Sequence, residues 1–223
     1  MSLELISFDL CPFVQRSVIT LREKKADFNI TYIDLAQPPA WFVKISPFSK
    51  VPVLKAENEV IFESAVINEY VDEITPPTLM PNKPITKALN RAWIEFASEL
   101  LMLQYQMSIA SKQEDFDTSE SRLLLHMEKL EARLTGSTFF NGEKFSLVDA
   151  AFAPLFLRFN ILFRYFDSDI LEDKAKVQKW SNILLCRDSV VNSVNQDFEK
   201  KFIAYIQSNS EFMRNKMKIR PAN

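Results

Sequence analysis

The sequence predicts two units, an α/β unit of order βαβ then ββα followed by an all-α unit. Three observations carry this reading: strand-like alternation that passes into helical spacing near the amino terminus, a proline cluster at residues 76–84, and helical spacing almost throughout the remainder. The expected boundaries are 1–75 for the α/β unit, 76–84 for a linker and 85–223 for the helical unit.

Leu3-Glu4-Leu5-Ile6-Ser7-Phe8 alternates as a short strand, after which Phe13, Val14, Val18 and Leu21 recur at helical spacing until Lys24 and Lys25 close the pattern. Phe28-Asn29-Ile30-Thr31-Tyr32-Ile33, rich in β-branched and aromatic residues, reads as a second strand beside the first. A loop with Pro38 and Pro39 leads through Trp41-Phe42-Val43-Lys44-Ile45 to Ser46-Pro47-Phe48. Val51-Pro52-Val53-Leu54 and Val60-Ile61-Phe62 form a hairpin that turns at Glu57-Asn58-Glu59, and Ser64, Ile67, Tyr70, Val71 and Ile74 restore the helical period. The prolines between Pro76 and Pro84 cannot continue a helix. Beyond them the spacing predicts helices near 85–112, 118–135, 147–165, 172–188 and 190–209.

With 223 residues, 47% of them hydrophobic, the chain can build a substantial core, and no apolar run of about 18 residues predicts a membrane span. Met1-Ser2-Leu3-Glu4 lacks the pattern of a secretory signal, so a cytoplasmic protein is expected. A net charge of −2 speaks against nucleic acid as a partner, and the basic tail Arg214–Arg220 reads as a solvated terminus. Only two glycines occur, Gly136 and Gly142, so neither a G-x-G-x-x-G fingerprint nor a P-loop can be written, and no nucleotide cofactor is expected. Cys11 and Cys186 form neither a metal-ligand cluster nor a C-x-x-C pair, and no metal is expected. Cys186 reads as helix packing, and the lone His126 as packing or surface.

The segment Asp9-Leu10-Cys11-Pro12-Phe13 carries the chemistry. Cys11 follows a strand and stands at the amino-terminal end of a helix, with Pro12 suited to the first helical position because its missing N–H needs no partner there. The remaining free N–H groups and the positive end of the helix dipole lower a cysteine pKa, so a thiolate near neutral pH is expected. A small buried apolar role is the alternative.

The element order and four segments together resemble the cytosolic glutathione transferase family over nearly the whole chain. The segments are Cys11-Pro12-Phe13, Ser46-Pro47-Phe48-Ser49-Lys50-Val51-Pro52-Val53-Leu54, Phe62-Glu63-Ser64-Ala65-Val66-Ile67 and Phe145-Ser146-Leu147-Val148-Asp149. The resemblance implies a thioredoxin-like amino-terminal domain that binds glutathione. It implies a cis peptide before Pro52, with the backbone of Val51 turned toward the cysteinyl part of glutathione. It implies that Ser64 meets the γ-glutamyl carboxylate while Glu63 faces its ammonium, although a plain N-cap explains Ser64 equally well from sequence. Lys50 is expected to pair with the glycyl carboxylate, and Phe13 to line the site. Trp93, Phe96 and Leu100 are candidates for a hydrophobic acceptor site between the domains, with core packing the alternative for Phe96 and Leu100. Ser146 and Asp149 form a reciprocal helix cap of structural role, ahead of a buried helix that Pro154 should kink.

Conjugating classes of the family usually carry serine or tyrosine where this chain has Cys11. The resemblance therefore implies an omega-like thiol transferase, in which Cys11 takes glutathione as a mixed disulfide during deglutathionylation or a dehydroascorbate-type reduction. Omega-class members carry a lysine where this chain has Pro38, so the class stays open. The alternatives are conjugation of glutathione to hydrophobic electrophiles, and a silent binding module like the stringent starvation proteins. A homodimer is expected by resemblance alone.

Overall fold

A computed structural model describes residues 3–166 and 168–218. The α/β unit comprises Leu3–Ser7 (β1), Pro12–Glu23 (α1), Phe28–Tyr32 (β2), Ala40–Ile45 (α2), Val53–Ala56 (β3), Glu59–Phe62 (β4) and Ser64–Ile74 (α3). Its sheet runs β2-β1-β3-β4, with β1 and β2 parallel and the other pairs antiparallel. Leu5 stands opposite Ile30 on one neighbour and Leu54 on the other. Alternation sorts the side chains by face: Leu3, Leu5 and Leu54 pack with Val14 and Val18 of α1 and Ile67 and Val71 of α3, while Ile6 and Val53 meet Phe42 of α2. Helix α2 stands where the sequence predicts a loop. Six residues cannot sustain a helix alone, and the wholly buried Phe42 holds this one to the sheet.

Residues 75–83 carry neither helix nor strand. They are pinned by Asp72, whose carboxylate accepts from Lys24 Nζ (2.7 Å), Thr78 Oγ1 (2.6 Å) and the N–H groups of Leu79 (2.7 Å) and Met80 (3.1 Å). Burial pushes this carboxyl up, but those donors outweigh it and hold Asp72 below its ordinary value.

The helices that follow are Pro84–Ser108 (α4), Gln113–Arg133 (α5), Leu147–Phe166 (α6), Ala175–Leu185 (α7), Asp188–Val191 (α8), Phe198–Asn209 (α9) and Glu211–Lys216 (α10). The single helix expected over 190–209 is two, because the chain turns between Asn192 and Asp197. Ser210, extended at φ −143°, ends α9 and caps α10 by accepting from the Met213 N–H at 3.0 Å. The basic tail is therefore not wholly solvated: Lys216 sits 4.4 Å over the Phe116 ring, and Ile219 and Arg220 lie outside the described residues. Cys186 is exposed at the carboxy-terminal cap of α7 and does not pack inside a helix bundle.

The core of the helical unit is α6, which continues through Pro154 as one helix. At its start, wholly buried Asp149 reaches back to the Ser146 N–H (2.8 Å) and accepts from Ser146 Oγ (2.6 Å), the Phe140 N–H (2.9 Å) and Trp180 Nε1 (2.7 Å). The Ser146 hydroxyl thus donates to Asp149 where a reciprocal cap would have it accept from the helix. Burial still pushes the Asp149 carboxyl above its ordinary value against those four donors.

Helix α1 lies between the sheet and the helical unit, against α3 on one side and α6 and α8 on the other. Every residue from Val14 to Leu21 is consequently buried, and Gln15 and Arg16 must find partners inside.

Candidate active site

A cleft of about 500 Å³ opens between the two units, and Cys11 stands on its wall. Cys11 is the N-cap residue of α1 with an extended backbone (φ −73°, ψ 118°), and Pro12 begins the helix. The N–H groups of Phe13 and Val14 point at its sulfur, and Sγ lies 3.8 Å from the Val51 carbonyl oxygen, to which the thiol donates. The expectation of a thiolate set by the helix end alone is corrected here. Burial pushes the Cys11 thiol above its ordinary value, and the two N–H groups and the charges of Arg158 and Arg16 only oppose that rise.

On one side of the sulfur the wall is backbone and small polar groups. The Val51–Pro52 peptide is cis. Lys50, exposed, has its N–H and C=O tied to the Ser46 hydroxyl at 3.0 Å each, leaving its ammonium free to reach a ligand. Glu63 takes a left-handed φ of 66° and is itself the N-cap residue of α3, so Ser64 is the first residue inside the helix. The plain N-cap reading of Ser64 therefore does not hold. The buried Ser64 hydroxyl instead accepts from Arg16 Nε at 2.8 Å, and Arg16 Nη1 donates across the domain boundary to Ser98 Oγ at 3.0 Å. Arg16 is 3% exposed, and no carboxylate pairs with it among the described residues. Burial lowers its guanidinium to about 10, which leaves it charged at neutral pH.

The opposite wall is built from Leu101, Met102, Gln104 and Tyr105 of α4, Arg158 of α6, and Phe202 and Tyr205 of α9. The hydroxyls of Tyr105 and Tyr205 meet at 3.1 Å, and burial together with Tyr105 pushes Tyr205 up to about 12. The structure does not bring Trp93, Phe96 or Leu100 to this wall. Leu100 is wholly buried in the helical core, and Trp93 packs edge-on against Phe96 at 5.4 Å and tilted against Phe140 at 5.5 Å. Phe96 in turn meets His126 at 5.1 Å, so the histidine is a packing residue. One residue of helix advances the side chain by about 100°, which puts Leu101 and Tyr105, four apart, on the cleft and Leu100 behind them.

The family model described as the glutathione S-transferase N-terminal domain matches residues 10–74, and that of the C-terminal domain matches residues 113–182. The probable glutathione S-transferase DHAR1, cytosolic, of Oryza sativa subsp. japonica is 31% identical over 188 residues, which is 82% of this chain and 83% of that protein. The chain belongs to the glutathione S-transferase family. Glutathione S-transferase omega-1 of Sus scrofa is 28% identical over 92% of this chain and 86% of its own length. The chain spans 65% of the length of another relative, the probable glutathione S-transferase DHAR2, chloroplastic, of rice. Among solved structures, glutathione transferase Omega 3C from Trametes versicolor superposes with a TM-score of 0.78 at 25% identity, covering 88% of this chain and 90% of that one.

In this transferase fold the cleft collects Cys11, Phe13, Lys50, Val51, Pro52, Glu63 and Ser64 from three separated segments. Sequence reasoning passed over Arg16 and Arg158. Each carried a signal, since Arg16 interrupts the buried face of α1 and Arg158 stands alone in the apolar run Ala153-Pro154-Leu155-Phe156-Leu157-Arg158-Phe159.

Proposed function

We propose that this glutathione S-transferase family member is a glutathione-dependent thiol transferase with Cys11 as nucleophile. The observation that carries the reading is the Cys11 sulfur itself: a thiol stands at the helix N-cap on the cleft wall, beside the Val51 carbonyl. In the reaction the Cys11 thiolate attacks the glutathionyl sulfur of a mixed disulfide R–S–SG. A disulfide forms between the Cys11 sulfur and the glutathionyl sulfur, the S–S bond between R–S and SG breaks, and R–S⁻ leaves and takes a proton from solvent. A glutathione thiolate then attacks the glutathionyl sulfur, releasing oxidised glutathione and the Cys11 thiolate. The glutathionyl moiety is bound through Val51 backbone groups, through Ser64 and Arg16 at its γ-glutamyl carboxylate with Glu63 facing the ammonium, and through Lys50 at its glycyl carboxylate. When its cysteinyl N–H takes the Val51 carbonyl, Cys11 loses a hydrogen bond that favours the protonated thiol, so binding promotes ionisation. By resemblance to its family the protein acts as a homodimer, which equilibrium sedimentation tests.

The test is the glutathione-dependent reduction rate of a small mixed disulfide at neutral pH. Cys11→Ala should fall to the uncatalysed background, and a variant as fast as the native protein overturns the reading. Cys11→Ser separates the alternative of conjugation, which it should spare or improve while losing disulfide exchange.

A further inference from the structure

Arg158 is a cation shut inside the molecule. It is 1% exposed, yet among the described residues no carboxylate pairs with it. Its Nη1 donates to Gln15 Oε1 (2.7 Å) and to the Pro154 carbonyl (2.8 Å), and its Nη2 donates to the carbonyl of Leu10, the residue before Cys11 (2.8 Å). Phe198 and Phe202 stack on the guanidinium at 5.1 and 5.7 Å. Gln15 is in turn fixed by donating to Ser193 Oγ at 3.0 Å. Every acceptor is neutral, and the group lines the same cleft as the sulfur. A buried cation without an anion is costly, so its position needs a negative charge that the scaffold does not supply.

We propose that Arg158 is the counter-ion of the Cys11 sulfur, a positioning residue that holds the thiolate through its charge for the exchange reaction. The inference rests on Cys11 being the nucleophile. Burial lowers Arg158 only to about 9, so it stays charged at neutral pH, and it acts on Cys11 in the direction that favours the thiolate. The other charged and titratable groups around the sulfur do not replace it. Arg16 on α1 also favours the thiolate, less than Arg158 does, and it is engaged with Ser64 and Ser98 and feels Glu95 and Glu63. Lys50 and Glu63 stand on the glutathione side. Tyr105 and Tyr205 face it from α4 and α9 with raised Tyr205, and Asp9, two residues before Cys11, is paired with Lys201 at 2.6 Å.

The experiment is the pH dependence of Cys11 alkylation by iodoacetamide, followed by mass spectrometry at Cys11, in the full chain without glutathione or acceptor. Arg158→Gln should raise the midpoint by about one pH unit or more, and Arg158→Lys, which keeps the charge, should return it most of the way to the native value. A folded Arg158→Gln with an unmoved midpoint overturns the proposal, as does an equal shift in Arg158→Lys. If Arg158→Gln does not fold, Gln15→Glu decides, because it sets a carboxylate against the guanidinium without removing it: a raised midpoint supports the proposal and an unmoved one overturns it. The readout needs no turnover, so failure of the thiol-transferase reading would show separately in the mixed-disulfide assay.

Discussion

Asp149 and Arg158 lie on the same helix, both out of contact with water, and they are treated in opposite ways. Four donors converge on Asp149 and tie the start of α6 to Phe140 and Trp180. Arg158 finds only amide and carbonyl oxygens and opens on the cleft. The same contrast separates Asp72, paired with Lys24 at the linker, from Arg16, whose side chain donates to two serine hydroxyls and lies over the Phe13 ring. The buried carboxylates of the scaffold are saturated by donors within the chain, whereas the two buried guanidiniums beside Cys11 are left for an anion that arrives with the chemistry.

The contrast breaks first on stability. Asp149→Ala strands four buried donors, and urea unfolding at pH 7 should show a loss of about 3–5 kcal/mol. Arg158→Gln should lose less than half as much, and equal losses would make Arg158 another scaffold charge. The two faces of α4 sharpen the same division. Leu100→Ala should cost about 2–5 kcal/mol while leaving the acceptor KM unchanged. Met102→Ala, exposed on the cleft wall, should change stability by less than about 0.5 kcal/mol yet raise the acceptor KM several-fold. A further effect concerns the glutathione side: Arg16→Gln should weaken glutathione binding by about 10- to 100-fold in isothermal titration, with kcat at saturating glutathione changed far less. An unaltered affinity would remove Arg16 from that site.

The α/β unit was legible because its signals are local. Alternation marked β1 and the hairpin, and the proline cluster marked the linker. Helix α2 was not, since six residues behind Pro39 take their helicity from Phe42 packing on the sheet. The break between α8 and α9 was also hidden, because the apolar spacing of 190–209 continues across a turn. At the site, residues near Cys11, Val51 and Ser64 could be read from motifs, whereas the opposing wall depends on which face of α4 and α9 the tertiary packing turns inward. Helical spacing offers Leu100 and Leu101 alike, and only the docking of α4 against α5 and α6 selects Leu101 for the cleft. The thiol itself shows the limit of motif reasoning: the helix end is where the sequence puts it, but burial outweighs it.

The most direct test of the account uses the two cysteines as rivals. The exposed Cys186 is the more accessible sulfur, and Cys11 is the one the cleft addresses. The protein is incubated with a small glutathionylated disulfide, and peptide mass spectrometry locates the glutathionyl group. The account predicts one adduct on Cys11, formed within seconds, removed by free glutathione and absent in Cys11→Ala. An adduct that forms on Cys186 first, or at equal rates on both sulfurs, would contradict it.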